Sequence, residues 1–274
     1  MPQRLDLYLV ENGLARSRER AKLLIKSGSV LLNGKAAAKP SLIVTDNDNV
    51  EVLGDPVGYV GRGGLKLEHA FDQFTLDVTG RTAADIGAST GGFTECLLKL
   101  GAKKVYAVDV GHGQLDPSLK SDPRVVDMEG VNARYMTPDL FDERPSFLCG
   151  DLSFISLKLV IKPMLDCLSD DGELVLLIKP QFEAGRAALN KHGVVTDLKD
   201  HVRVINELTE LFVQLGLTVC GLTYSAIKGS DGNTEYLVHL TKGTACESVP
   251  FSAEQTAAEA KAYFQSKKMT DEGR

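Results

Sequence analysis

No Cys-x-x-Cys pair occurs in the 274 residues, and the five cysteines, Cys96, Cys149, Cys167, Cys220 and Cys246, are scattered and odd in number. Neither a disulfide framework nor a zinc cluster is expected from that distribution, and a reducing cytoplasm suits it best. Missing too is any apolar run near the roughly 18 residues of a membrane span. The first residues, MPQRLDLYLVENG, lack the charged-then-apolar layout of a signal peptide. A soluble, unexported protein is the expectation. With 43% of residues hydrophobic and 25% charged, the chain suits one large domain with a smaller companion. A net charge of -6 argues against a globally basic nucleic-acid binder.

That negative total hides an uneven distribution. Between Leu14 and Lys39 stand Arg16, Arg18, Arg20, Lys22, Lys26, Lys35 and Lys39 against the single acid Glu19. Such a stretch reads either as an electrostatic footprint for phosphate or as a solvated helix face. Its surroundings decide between them. Residues 4–12, RLDLYLVEN, carry apolar side chains at helical spacing, with Gly13 as a C-cap. Ser17 caps a second helix, SRERAKLLIK, whose apolar stripe is Ala21, Leu24 and Ile25 and which Gly28 ends; Arg16, Arg18, Arg20 and Lys22 are expected near its exposed start. SVLLNGKAA predicts a hairpin around Asn33-Gly34, and NVEVL a further strand.

Residues 1–53 thus form a small α+β domain, and they closely resemble the RNA-binding domain first described in ribosomal small-subunit protein four. The likeness lies in the RLD start, the S-R-x-x-A-x-x-L-I-x-x-G helix and the V-x-x-N-G-K hairpin. It implies structured RNA as ligand, with Arg4, Arg16, Arg18, Arg20, Lys22, Lys26 and Lys35 as the candidate contacts. A short arginine-rich helix can touch phosphates and read RNA by shape.

GDPVGYVG, residues 54–61, reads as a linker, and a second domain spans 62–243. In LKLEHAFDQF the stripe Leu67, Ala70, Phe71 and Phe74 predicts a helix with Lys66 off its centre. From residue 82, TAADIGA, KVYAVDV, RVVDM, SFLCGDL and ELVLLIK alternate with helical stretches, which predicts an α/β, doubly wound sheet. A helix over 197–214 precedes TVCGLTYSAI and EYLVHLT, a closing antiparallel pair. Residues 244–274 read as a polar tail, helical or loose.

Within that domain DIGASTGGF, residues 85–93, follows a strand and opens a helix, so backbone amides and a helix amino terminus face any ligand. A dinucleotide turn would read G-x-G-x-x-G, whereas here the spacing is D-x-G-x-x-x-G-G, and no diphosphate is expected. An acid at that turn repels phosphate but can hold the ammonium of an amino-acid moiety, as in S-adenosylmethionine. The candidate cofactor residues are Asp85, Gly87, Ser89, Thr90, Gly91, Gly92 and Phe93, with Asp109 after the next strand placed for ribose hydroxyls. Met128, after the third strand, either flanks the adenine or is an ordinary core methionine.

A lysine closes the apolar run GELVLLIKPQFE, where Pro180 stops the strand and leaves Lys179 at its carboxyl end. In open α/β sheets that edge is where ligands bind. Asp151 ends the strand before it, Glu235 starts EYLVHLT, and Lys66 lies on the helix before the first strand; all can converge on one edge. Methylating a ribose 2′-hydroxyl requires a proton acceptor. A neutral lysine can serve, but an ordinary lysine titrates near roughly 10.4, so a nearby cation and partial burial are needed to lower it.

Y-V-G-R-G-G-x-K-L, D-I-G-A-S-T-G-G-F-T, D-L-S-F-I-S-L, K-P-Q-F-E and G-N-x-E-Y stand in this order. On these motifs the chain resembles the TlyA family, hemolysin-annotated rRNA 2′-O-methyltransferases of the FtsJ-like type, over nearly its whole length. The resemblance implies a class I, Rossmann-like methyltransferase fold using S-adenosylmethionine, a catalytic tetrad at Lys66, Asp151, Lys179 and Glu235, and cytidine of ribosomal RNA, within ribosomal subunits, as substrate. Base methylation fits less well: DLSF stands where an amino-methyltransferase shows D/N-P-P-Y/F, and no Pro-Cys occurs for a carbon-5 enzyme. Two other classes compete, a membrane-acting hemolysin and a non-catalytic RNA-binding assembly factor. The first needs a membrane span, pore strand or amphipathic membrane helix, none of which is evident.

Overall fold

The computed structural model describes the chain apart from residues 1, 16, 46, 54–57, 244, 245, 247, 248, 273 and 274, and apart from the side chains of 19 and 268–272. The chain divides into two units, Met1–Gly58 and Tyr59–Arg274.

In the first unit, β1 (Gln3–Arg4) leads into α1 (Leu5–Glu11) and α2 (Arg18–Lys26), followed by β2 (Val30–Leu32), β3 (Lys35–Ala36), β4 (Ile43–Val44) and β5 (Val50–Val52). Ser17 Oγ accepts from Arg20 N at 3.2 Å, the expected cap of α2. Asn33 and Gly34 have φ of 53° and 76°, the left-handed pair that a two-residue hairpin turn requires, and β2 pairs with both β3 and β5. Leu5, Leu9, Ala21, Leu24, Ile25 and Val30 close the small core.

The basic cluster expected at the exposed start of α2 forms in part: Arg18 and Lys22 are exposed, but Arg20 is buried, because it stands one turn before Leu24 on the apolar stripe. Arg4 Nε and Arg18 Nη2 converge on Asp6, at 2.9 and 3.2 Å. Asp6 is shielded from solvent, and hydrogen bonding from Arg4 outweighs burial to hold its carboxyl down at about 2. Arg16 lies outside the described residues.

The second unit runs α3 (Gly63–Phe74), β6 (Thr82–Ile86), α4 (Gly92–Lys99), β7 (Lys104–Asp109), α5 (Pro117–Lys120), β8 (Val125–Glu129), β9 (Phe147–Gly150), α6 (Ile161–Cys167), β10 (Glu173–Ile178), α7 (Pro180–Glu183), α8 (Leu198–Gln214), β11 (Leu217–Tyr224), β12 (Tyr236–Lys242) and α9 (Ala253–Glu272). Its sheet has the order β11-β12-β10-β9-β6-β7-β8, parallel except for β12, which is antiparallel to both β10 and β11. Chain direction across the sheet reverses between β6 and β9, so the switch point opens at their carboxyl ends. Strand β10 is apolar and buried on both faces, as its uninterrupted sequence predicts.

Of the two readings of the tail, helical or loose, the helix forms: residues 253–272 make α9, which packs on α8 and β11. Its burial departs from the polar reading, with Ala253, Ala257 and Ala260 inside, because a stripe of alanines carries too little apolar contrast to announce itself. The cysteines depart from the sequence reading as well. Cys220 and Cys246, expected to be unpaired, form a disulfide with Cα atoms 6.2 Å apart. The antiparallel return of β12 beside β11 brings these cysteines together, and their spacing in sequence, 26 residues, gives no sign of it.

Candidate active site

The glycine turn between β6 and α4 is built by close backbone approach. Gly92, at the start of α4, faces the start of α3 so closely that a Cβ there would stand 2.9 Å from Gly64 N and 3.0 Å from Gly61 O. At Gly87 (φ +86°) a Cβ would come within 3.0 Å of Asp151 O. The glycines of Y-V-G-R-G-G and D-I-G-A-S-T-G-G therefore interlock, and α3 is pinned where its Lys66 overlooks the sheet edge. Val60 N donates to Glu95 Oε2 at 2.5 Å and secures the same junction from the segment before α3.

At that edge the four charged residues meet. Lys66 Nζ lies 2.8 Å from Glu235 Oε2 and 3.2 Å from Asp151 Oδ2, while Lys179 Nζ lies 2.5 Å from Asp151 Oδ1. Lys66, Lys179 and Glu235 are all buried. Burial by itself lowers the pKa of Lys66, but the negative charges of Asp151 and Glu235 outweigh it and the net direction is up. For Asp151 burial raises the pKa, and the charges of Lys66 and Lys179 reverse it to a net decrease. Lys66 is thus a locked cation between two carboxylates. Lys179 has one carboxylate and donates to Ser153 Oγ at 2.8 Å.

A cavity of about 300 Å³ opens over these groups. Lys66, Asp151, Lys179 and Glu235 line it, as do Asp85, Gly87, Ser89, Thr90, Gly92 and Phe93. Gly91, Asp109 and Met128 stand off its wall. Gly91 (φ +94°) shapes the turn, and Met128 packs as a half-buried residue against the core. Asp109 accepts from Ser89 N at 2.8 Å and Gly111 N at 2.7 Å.

These residues fit an amino-acid-bearing cofactor. Asp85 is fully buried; its Oδ2 accepts from Thr94 N and Oγ1 at 2.9 and 2.7 Å, but its Oδ1 has no partner among the described residues. Burial pushes this carboxyl up to about 7. An ammonium from outside the chain would satisfy both the orphan oxygen and the buried charge.

The structure adds residues that sequence reasoning did not single out. Gln181 Nε2 donates to Glu235 Oε1 at 3.1 Å, and Ser153 fixes Lys179. Phe154 is 91% exposed at the cavity mouth, with φ of 61° and its ring 5.2 Å from that of Phe182. Asn233, buried, accepts from Val195 N at 3.1 Å, donates to Gly193 O at 3.1 Å and so steadies the loop leading to Glu235. The motifs D-L-S-F, K-P-Q-F-E and G-N-x-E-Y contain all five, so the signal was present, without the contacts that assign them.

The FtsJ-like methyltransferase family model matches residues 59–242, and the S4 domain model matches residues 3–50. The 16S/23S rRNA (cytidine-2′-O)-methyltransferase TlyA of Mycobacterium tuberculosis is 43% identical over 242 residues, 88% of this chain and 90% of that one. Hemolysin A of Brachyspira hyodysenteriae is 43% identical over 237 residues, covering 86% and 98%. A solved structure of a hemolysin-named protein from Streptococcus thermophilus, 41% identical, covers 98% of each chain with a TM-score of 0.79. With its methyltransferase unit matched from end to end of the sheet and its TlyA likeness running through both units, the chain belongs to the FtsJ-like methyltransferase family, in the TlyA group.

Proposed function

We propose that this protein transfers a methyl group from S-adenosylmethionine to the ribose 2′-hydroxyl of a cytidine in ribosomal RNA, acting on ribosomal subunits in the cytoplasm. The observation that carries this reading is the contact chain Lys179–Asp151–Lys66–Glu235 at the carboxyl edge of the sheet, beside a glycine turn with an orphaned buried acid. In a reducing compartment Cys220 and Cys246 would stand as thiols.

S-adenosylmethionine supplies, when bound, an electrophilic methyl group on a sulfonium. Asp85 Oδ1 receives the ammonium of its amino-acid portion, the amides of the 87–93 turn and the start of α4 line the same pocket, and Asp109 has lone pairs left for ribose hydroxyls. Lys179 Nζ, an ammonium paired with Asp151 at rest, first gives a proton to solvent and then, as the amine, takes the proton of the target 2′-hydroxyl as the oxygen attacks. Asp151 then stabilises the ammonium so formed, and Lys66, held charged, keeps Asp151 and Glu235 in register. Gln181 and Ser153 act as positioning residues for Glu235 and Lys179.

Phe154 offers a solvent-facing ring at the mouth, suited to stacking an unpaired base. The first unit docks the structured RNA through Arg4, Arg18, Lys22, Lys26 and Lys35, while buried Arg20 supports α2 from behind. Arg4 and Arg18 remain half-exposed on the sides away from Asp6.

Some relatives carry hemolysin names; among the described residues no helix is long and apolar enough to cross a membrane. The deciding experiment incubates the protein with ribosomal subunits and methyl-labelled S-adenosylmethionine and maps the modified nucleotide by mass spectrometry. Label on a cytidine 2′-oxygen is the expected result. Label on a base, or none with folded protein on either subunit, overturns the reading.

A further inference from the structure

A second cavity, of about 300 Å³, lies between the 194–201 segment, the loop before β12 and α9. Glu235 faces the catalytic cavity, whereas its neighbours Thr234 and Tyr236 face this one, as successive residues of an extended chain point to opposite sides. Earlier in the loop Gly229, Ser230 and Asp231 line the catalytic cavity, and Lys228 and Gly232 on either side of them line the other. One segment of chain is therefore the partition between the two cavities.

The chemistry of the second cavity is specific in sign and shape. Lys228 and Lys261 are on its wall and no carboxylate is among its lining residues. Lys228 Nζ sits 5.1 Å from the ring centroid of Phe264, which also lines the wall. The floor is neutral and already satisfied. His201 Nε2 lies 3.0 Å from Val195 O, which can only accept, so Nε2 carries the proton and Nδ1 accepts from Tyr236 Oη at 2.9 Å. Both ring nitrogens are spent, which leaves no ligand for a metal. What remains is a slot with aliphatic and aromatic walls and two ammonium groups at its rim, complementary to a planar ring bearing a phosphate.

We propose that this cavity holds a nucleotide of the substrate RNA flanking the target cytidine on the same strand, its base against Phe264 and its phosphate between Lys228 and Lys261. The inference rests on the reading of the catalytic cavity as an RNA ribose methyltransferase site. A strand laid over the partition places its target ribose beside Glu235 and its neighbour one chain thickness away. The second nucleotide thereby fixes the register of the first and presses the loop that carries Glu235 into place. One side of the slot, Ala257, Lys261, Phe264 and Gln265, comes from α9, beyond the residues 59–242 that the methyltransferase family model covers. Tyr263 ties that helix to the loop by donating to Ala226 O at 3.3 Å.

The test compares wild type with Lys228→Ala/Lys261→Ala, Phe264→Ala and Phe264→Tyr, using the full chain, ribosomal subunits and S-adenosylmethionine, with thermal melting to confirm folding. The double lysine variant is expected to raise KM for the RNA substrate about tenfold, keep kcat within about twofold, leave S-adenosylmethionine affinity unchanged and reduce the salt slope of RNA binding by about 1 to 2. Phe264→Ala should raise KM by about tenfold and Phe264→Tyr should restore it. In parallel, cytidine monophosphate and inorganic phosphate are titrated into wild type and the double variant by calorimetry. Nucleotide binding lost in the double variant with an unchanged RNA KM assigns the slot to a free nucleotide and overturns the RNA assignment. Wild-type methylation with unchanged KM and salt slope in every variant overturns the inference alone. Absence of RNA methylation by the wild type overturns the functional reading and this inference with it.

Discussion

Lys66 and Glu235, 169 residues apart in the chain, meet at 2.8 Å in a buried ion pair at the edge of the sheet. One comes from the helix that precedes the first strand of the second unit, the other from the turn into its last strand. Their meeting depends on β12 running antiparallel to β10, which carries Glu235 to the carboxyl end of that neighbour. With Asp151 shared between Lys66 and Lys179, two cations and two carboxylates neutralise one another out of water.

Lys179→Ala is expected to bind S-adenosylmethionine with near wild-type affinity and to lose methyl transfer by roughly 10²-fold to 10⁴-fold, the usual contribution of a general base. Lys179→Arg should not restore it, because guanidinium stays charged. Single-turnover methylation beside cofactor calorimetry checks both. A near wild-type rate in either folded variant removes Lys179 from the proton transfer.

For Lys66 the expectation couples activity to stability. Lys66→Ala strands Glu235 and half of Asp151 in a buried place and should cost about 3 kcal/mol in urea unfolding, whereas Lys179→Ala leaves Asp151 paired and should cost about 1 kcal/mol. Lys66→Met with Glu235→Gln should recover much of that loss without recovering activity. Equal destabilisation by the two single changes would contradict the locked-cation role.

Asp85 predicts a pH effect. Its folded pKa is raised to about 7, so the folded state holds this proton more tightly than the unfolded chain. That contribution to stability is complete below pH of about 4, the ordinary carboxylate range, and is lost as pH rises through about 7. Asp85→Asn should flatten the decline. If an ammonium of the cofactor pairs with Asp85, binding at pH 6, where an α-amino group is already charged, should release about one proton, and binding at pH 8.5, where most of that group is neutral, should release none and take protons up. Calorimetry in buffers of different ionisation enthalpy measures this, and equal proton release by Asp85→Asn would count against the pairing.

In the first unit the sign is opposite. Asp6 is held at about 2 by Arg4 and Arg18, so its contribution is present above pH of about 4 and lost as pH falls toward 2. Asp6→Asn should lower the stability of this unit at pH 7 and remove the corresponding acid sensitivity, read by melting of the full chain with probes in each unit. An acid profile unchanged by the substitution would show that Arg4 and Arg18 do not depend on Asp6.

Phe154 holds a left-handed backbone that a bulky residue adopts at a cost of roughly 1 to 3 kcal/mol, while its ring is exposed. Phe154→Asn, which tolerates that φ, should leave Tm equal or higher and reduce RNA methylation several-fold. Unchanged methylation would mean that the ring stacks on nothing.

The local pattern of the chain determined much of this protein by itself. Helix and strand periods, the Asn33-Gly34 turn, the glycine turn after TAADI and the lysine before Pro180 are short-range signals, set by backbone sterics and by which face an apolar residue must bury, so the α/β order and the candidate residues were legible without coordinates. Tertiary structure decided what depends on distant partners. Arg20 is charged and on a helix start, yet lies inside because its turn of α2 meets the core. Alanines 253, 257 and 260 read as polar-tail residues, yet anchor α9. Cys220 and Cys246 pair because β12 returns beside β11. Gln181 became part of the site through its reach to Glu235, and Lys66 became a fixed cation through two carboxylates far away in sequence. Sequence spacing sets the conformation of neighbours; burial and charge pairing are properties of whatever packs alongside, and that is settled only when the sheet is closed.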